Sequence, residues 1–208
     1  MKKFFIVLGC FLFVAANFGF AQGITGSAHD FSGDSWSGGQ ICIACHTPHN
    51  ALSATDAPLW NHTETGATFT QYTSPTGTLD ATVGQPGGIS KLCLSCHDGV
   101  TALDSFGGAV GTTMIASVGT GAGDFGTDLS NDHPISFTYD SALAGTDGEL
   151  HDPATASSGL GGTIADDMLF SGSMECSSCH DVHNAYAFSN LLILDNGGSA
   201  LCLTCHDK

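Results

Sequence analysis

The sequence contains no arginine and only four lysines among its 208 residues, against 20 aspartates and glutamates. A nucleic-acid-binding protein needs a basic surface, so that class is excluded. Docking on an anionic membrane surface needs clusters of lysine or arginine, so the composition argues against it. Long apolar runs are missing after the first 21 residues, and so is helical periodicity over long segments. A core built from long amphipathic helices is therefore not expected.

The first 21 residues are predicted to be a signal peptide. Two lysines precede an apolar run over 4–20, and small residues lead up to Ala21, after which we expect cleavage. A membrane anchor is one alternative, but the apolar run is short for a span. A lipoprotein signal at Cys10 is another, although it matches that motif poorly. Export is therefore expected, with no membrane span in the mature chain.

Four copies of one motif contain all the cysteines of the mature chain. Each copy is CxxCH, a cysteine pair followed at once by histidine, which is the attachment motif of c-type haem. One helical turn places both sulfurs along one porphyrin edge, where they form thioethers, and directs the next imidazole to the iron. The predicted thioether ligands are Cys42, Cys45, Cys93, Cys96, Cys176, Cys179, Cys202 and Cys205. The predicted proximal iron ligands are His46, His97, His180 and His206.

Other uses of cysteine explain this pattern less well. Two CxxC pairs can form a tetrahedral zinc site, and one pair can act as a redox dithiol. An even number of cysteines in an exported chain ordinarily suggests disulfides. None of these explains a histidine at the same offset in four motifs out of four. The sequence therefore predicts four covalently bound haem c groups.

Six further histidines are available as distal ligands for the four irons. An electron carrier fills both axial positions of its iron, whereas a haem enzyme keeps one open, so the surplus favours bis-histidine electron transfer over catalysis. Methionine ligation is the alternative, although methionine more often fills gaps in packing. The predicted distal ligands are His49, His183, His133 and His29, with His62 as the alternative to His29. His151 is expected to lie in a solvated loop.

The offsets of these histidines indicate how they are used. His49 and His183 each follow a proximal histidine by three residues, within CHTPHNA and CHDVHNA. Residues three apart share one face, so neither can ligate the same iron as its own proximal histidine, and each is expected to reach another haem. His133 precedes Pro134, which holds the preceding backbone extended and presents the imidazole on a stiff segment.

The order of the motifs indicates duplication of a two-haem unit, because the first and third share CxxCHxxHNA and the second and fourth share LCxxCHD. We divide the single domain 22–208 into two-haem units at 42–98 and 176–207, with a glycine-rich insertion at 99–175. Glycine clusters interrupt long helices. The predicted fold is a multihaem cytochrome c that is mostly irregular, with a short haem-binding helix at each motif and few short strands. About 47 residues per haem are too few for separate cores, so the haem chain itself is expected to form the core.

Several strings resemble those of the doubled-CxxCH cytochromes: CHTPHNA, APLWNHT, SKLCLSCHDG, NDHPISF and CHDVHNA. Nearly the whole mature chain resembles the OmcE-type extracellular tetrahaem cytochromes of metal-reducing bacteria, which polymerise into conductive filaments. The resemblance implies bis-histidine haems along the filament axis. It also implies a histidine donated by one subunit to a haem of the next, with His49 in the donor position and His29 as the competing candidate.

The functional expectation is an electron carrier, not an enzyme, at the cell surface or outside the cell. The resemblance implies a homopolymer that passes electrons over long distances to other multihaem cytochromes or to extracellular acceptors. A soluble periplasmic electron shuttle is the first alternative. A multihaem reductase with one open haem is a weaker alternative, since it would need an iron without a distal ligand.

Overall fold

The computed structural model describes residues 23–54, 56–118 and 123–208, so the predicted signal peptide and its cleavage site lie outside the described residues. Four short helices are present in this part of the chain: α1 (Gly88–His97), α2 (Ser141–Asp147), α3 (Ile164–Asp167) and α4 (Ala200–Cys205). Two strands are present there, β1 (Phe137–Thr138) and β2 (Ser173–Met174). Single 3-10 turns lie at Phe31–Gly33, Ser35–Ser37, Ile115–Ser117, Cys176–Ser178, Ser189–Leu191 and Gly197–Ser199.

Irregular loop makes up most of the described chain, which confirms the predicted fold class. The strands pair antiparallel, with Phe137 opposite Met174 and Thr138 opposite Ser173. Within the described ranges, every helix is too short or too polar to cross a membrane.

Helices carry only two of the four motifs. The second motif ends α1 and the fourth lies in α4, whereas the third begins with a 3-10 turn and the first lies in an irregular turn. The prediction of a short helix at each motif is therefore wrong for the first motif, and at the third it is met only by the single 3-10 turn Cys176–Ser178. Pro48 ends the first motif's turn because it has no backbone donor for a further helical bond, and Ser177 and Ser178 favour turns over helix in the third.

Two small apolar clusters form the core of the described chain. The larger contains Phe137, Tyr139, Ala144, Ile164, Met168, Met174, Ile193, Leu201 and Cys205. The smaller contains Phe69, Leu94 and Leu129. Met168 and Met174 are 1% and 5% exposed inside the larger cluster, so they fill space in the packing rather than face an open site. Each cluster includes a residue of a motif helix, Leu201 of α4 and Leu94 of α1, so the core anchors the second and fourth motifs.

Candidate haem sites

The first and third motifs share one backbone arrangement. After the HNA sequence the chain turns back, and a return segment hydrogen-bonds to the motif. The Asn61 N–H donates to the Cys45 carbonyl at 2.8 Å, and the Ile193 N–H donates to the Cys179 carbonyl at 3.0 Å. The repeated CxxCHxxHNA sequence thus corresponds to a repeated local structure, including a return segment whose own sequence is not repeated.

A left-handed leucine stands at the same place in both return segments. Leu59 has φ 60° and Leu191 has φ 58°. Their carbonyls accept from the Thr47 and Asp181 N–H groups at 2.9 and 2.7 Å. A non-glycine residue in this conformation costs about 1–3 kcal/mol and persists where the surroundings fix it, often at functional sites. The turn is therefore held in place by its pairing with the haem motif.

Three of the four proximal histidines donate their Nδ1–H to a backbone carbonyl. These are His46, His97 and His180, and their acceptors are the carbonyls of Pro58, Gly123 and Asn190. Because a carbonyl oxygen only accepts, Nδ1 carries the proton and Nε2 keeps its lone pair. This is how a ligating histidine is oriented in metal sites. The sequence does not reveal these acceptors, because any residue type can supply a backbone carbonyl.

Three imidazole pairs each join a predicted proximal histidine to a predicted distal one. The pairs are His46 with His183, His97 with His29, and His206 with His133, at centroid distances of 6.3, 6.0 and 6.4 Å. An imidazole nitrogen binds a metal such as zinc at about 2 Å, so two imidazoles on opposite sides of one metal have centroids about 6 Å apart. Each pair therefore has the spacing that one shared iron requires.

His29 is well suited to ligation by its charge state. Burial, with a contribution from the nearby His97, lowers its pKa to about 4. The imidazole is therefore neutral at pH 7, the form in which histidine binds metals. His62, the alternative, is fully buried, and its Nδ1 and Nε2 lie 2.9 and 3.1 Å from the carbonyl oxygens of Thr63 and Ala102. Of the two, His29 is the one that faces a proximal histidine.

The remaining predicted ligands, His49 and His180, are both exposed. Neither belongs to an imidazole pair among the residues that the structure describes. His180 nevertheless has its Nδ1–H bound to Asn190 at 2.9 Å, so its Nε2 is oriented like that of the paired proximal histidines. One proximal and one distal histidine are thus left over within a single chain.

His151 lies in a loop, as expected, but it is half-buried rather than fully exposed. Its backbone N–H donates to the Cys205 carbonyl at 2.8 Å, and the Asp207 N–H donates to the Glu149 carbonyl at 2.8 Å. The fourth motif therefore pairs with a segment that precedes it in the chain, and His151 belongs to this segment.

Two buried nitrogen atoms lack a hydrogen-bond partner in the described part of the chain, Nδ1 of His29 and Nε1 of Trp60. Buried polar groups normally have partners, and an indole N–H can only donate. Both lie beside haem motifs, since His29 pairs with His97 and Trp60 forms a β-bridge with His46. The carboxylates of a bound haem are acceptors of the kind that the indole lacks. The residues present therefore fit haem c.

The thiols have the ionisation of structural rather than redox cysteines. Burial raises the pKa of Cys45, Cys179 and Cys205 to about 11. A redox dithiol needs the opposite shift. Cys176 is an exception, because its sulfur is hydrogen-bonded to Cys93 and this lowers its pKa.

Successive motifs lie side by side. The hydrogen bond between Cys93 and Cys176 joins the second motif to the third, and α1 packs on the turn Cys176–Ser178. The nearby thiol of Cys45 contributes, together with burial, to the raised pKa of Cys96, so the first motif lies close to the second. The nearby thiol of Cys202 contributes in the same way to the raised pKa of Cys179, so the fourth motif lies close to the third. The attachment points thus form a continuous series in chain order.

Residues 170–208 match the family described as the doubled CXXCH motif. No curated protein matches the chain. The family match spans the third and fourth motifs, and it indicates a multihaem c-type cytochrome that binds haem covalently and carries electrons. Cytochromes of this type are typically exported.

Replacing His133 with alanine is expected to convert one haem from low spin to high spin, because His206 would lose the imidazole 6.4 Å away. Electron paramagnetic resonance of the oxidised protein measures this directly. His151→Ala is the matched control, since only the main chain of His151 is bound to the fourth motif. An unchanged spectrum in His133→Ala would remove His133 from the ligands.

Proposed function

We propose that this chain is an extracellular tetrahaem c-type cytochrome that polymerises into a filament for long-range electron transfer. The observation that carries this proposal is the set of imidazole pairs at the spacing of one iron, together with one proximal and one distal histidine left unpaired. Haem supplies reversible one-electron chemistry at its iron. An iron with two histidine ligands has no open position, which suits an electron carrier.

The pairs support a specific assignment of axial ligands. The first haem takes His46 and His183, the second His97 and His29, and the fourth His206 and His133. His183 belongs to the third motif, so it ties the first haem to the third, in keeping with the offset argument. Covalent attachment through the eight motif cysteines makes the haem count four.

In the described chain no imidazole pair includes His180, the proximal ligand of the third haem, and His49 is the predicted distal ligand that remains unpaired. If His49 of one subunit completes the third haem of its neighbour, every iron in an extended assembly has two histidines. Such a contact is heterologous, because the donating and receiving surfaces differ. A heterologous contact that does not close into a ring generates an open filament.

Exposed apolar side chains are close in sequence to both unpaired histidines. Leu52 and Leu59, which follow His49, are 47% and 53% exposed. Val182, Tyr186 and Phe188, which follow His180, are 38% to 45% exposed. Large exposed apolar groups that cluster mark interaction sites. The mature chain holds two lysines against 20 acids, so subunits repel one another. Apolar contact and shared ligation would offset that repulsion.

One further function draws on the same observation. In an isolated subunit the iron held by His180 would have a single histidine ligand, which is the condition for reduction of a small substrate at an open haem. The reductase function requires the iron of the third haem to keep an open axial position in the secreted protein. The filament requires that position to be occupied by a second histidine.

The test is the haem content and spin state of the natively secreted, haem-loaded protein. Mass spectrometry is expected to show four covalently attached haems, and electron paramagnetic resonance only low-spin iron. Three haems or fewer would contradict the tetrahaem assignment. A high-spin haem that binds cyanide in the secreted form would contradict the filament and support the reductase.

A further inference from the structure

We propose that Glu175 is a positioning residue that locks the second and third haem sites together and, through its charge, lowers the redox potentials of both haems. This inference rests on haem attachment at those two motifs and does not depend on polymerisation. Glu175 immediately precedes Cys176 and is 5% exposed. Burial of a charged side chain is costly unless it is well hydrogen-bonded, so a carboxylate buried between two cofactor sites is expected to have specific partners.

The carboxylate of Glu175 binds the start of the helix that carries the second motif. The Ser90 N–H, in the first turn of α1, donates to Oε2 at 3.1 Å. The first N–H groups of a helix have no partner within the helix, and the helix dipole favours negative charge there. A side chain from the third motif thus caps the helix of the second.

Ser90 makes the return contact. Its hydroxyl accepts from the Cys176 N–H at 2.9 Å, and its side chain is fully buried. The two hydrogen bonds together clamp the first turn of α1 to the backbone at Cys176. The sulfurs of Cys93 and Cys176 lie within hydrogen-bond contact of each other beside this clamp.

A third segment completes the clamp. The Ser136 hydroxyl donates to Glu175 Oε2 at 3.0 Å and accepts from the Gly87 N–H at 3.1 Å. Ser136 has φ 57°, an unfavourable conformation for a serine that the clamp fixes. A side chain at Gly88 is disfavoured as well, because its φ is 47° and a Cβ would lie 3.0 Å from Glu175 Oε1. The close packing leaves the carboxylate one defined position.

No lysine in the described chain neutralises Glu175. Lys91 pairs with Glu64 at 2.9 Å, and Lys208 pairs with Glu149 at 2.6 Å. Oxidation of a haem adds one positive charge at the iron, and a fixed negative charge nearby favours that state more strongly at low dielectric. The Glu175 carboxylate should therefore favour the ferric form of the two haems whose attachment segments it joins.

The test uses Glu175→Gln, which keeps the shape and one acceptor oxygen but removes the charge. Asp166→Asn is the matched control, since Asp166 is exposed on α3 and loses the same charge. In a potentiometric titration of the haem-loaded protein, Glu175→Gln is expected to raise the midpoint potentials of two of the four haems. The low-spin spectrum should stay the same, and Asp166→Asn should move no potential by a comparable amount.

Glu175→Ala tests the positioning role separately. It removes both hydrogen bonds to the carboxylate, so it is expected to weaken the magnetic coupling between two haems and to lower the thermal midpoint more than Glu175→Gln does. If Glu175→Gln fails to fold, Glu175→Asp is measured in the same way. Its shorter side chain cannot reach both hydrogen-bond donors, so it is expected to weaken the magnetic coupling between the two haems as Glu175→Ala does. Unchanged potentials in Glu175→Gln, or an equal shift of all four, would overturn the inference. That result would not count against the filament proposal. Failure of the filament proposal would show instead in the spin state of the wild-type protein.

Discussion

A His49→Ala variant is expected to be secreted as a folded monomer with three low-spin haems and one high-spin haem. His49 is exposed and lies in no imidazole pair of the described chain, so its removal should leave the chain's own packing intact. Only the third haem, held by His180, should lose a ligand. Electron microscopy and electron paramagnetic resonance of the same sample measure polymer and spin state together.

Added imidazole sharpens this experiment, because it can occupy the vacant axial position without linking two subunits. The expected result is a return to low spin with no return of filaments. His183→Ala is the informative comparison, since His183 faces His46 within the chain and its loss should change the first haem instead. Filaments that persist in His49→Ala, or a spectrum that stays low-spin, would show that His49 is not the bridging ligand.

A chain produced without haem is expected to be unfolded. The two apolar clusters of the described chain contain nine and three buried residues, and they are joined mainly by irregular loops. So few buried side chains cannot offset the conformational entropy of ordering about 187 residues, at roughly 1–2 kcal/mol for each backbone unit. Haem burial must supply most of the stabilisation, as metal binding does in small metalloproteins.

Circular dichroism and hydrogen exchange on protein made in a host without haem attachment test this expectation. The expected result is a coil-like spectrum and unprotected amides throughout. A partial control is a chain with Cys93→Ala and Cys96→Ala, which should lose order around α1 and the clamp at Glu175 while the fourth motif keeps the larger cluster. A cooperative unfolding transition in the haem-free protein would show that the polypeptide has a sufficient core of its own.

The sequence was most informative where one chemical requirement fixes several residues at once. Two thioethers and a proximal ligand on one porphyrin demand CxxCH, so the motifs were readable without a structure. The offset in CHxxH also predicted that His183 leaves its own haem, and the structure places it opposite His46. The irregular fold followed from glycine clusters and from the absence of helical periodicity.

Contacts set by tertiary structure left no such signal. The acceptors for the proximal histidines are backbone carbonyls, which any residue could supply, and the left-handed Leu59 and Leu191 belong to a residue type that disfavours that conformation. Nothing in the sequence distinguishes Glu175 from the other aspartates and glutamates among its 20 acids. Its burial depends on α1, more than 70 residues earlier in the chain, packing against it. The prediction of a helix at the first motif was wrong because local turn residues outweigh the motif there.

The measurement that tests the central claim most directly is electron microscopy of the natively secreted, haem-loaded protein, with the haem spin state recorded on the same sample. The account predicts ordered filaments in which every haem is low-spin, because each subunit completes the third haem of its neighbour. Monodisperse small particles in which all four haems are low-spin would contradict it. Every iron would then find both ligands within one chain, and the protein would be a soluble carrier.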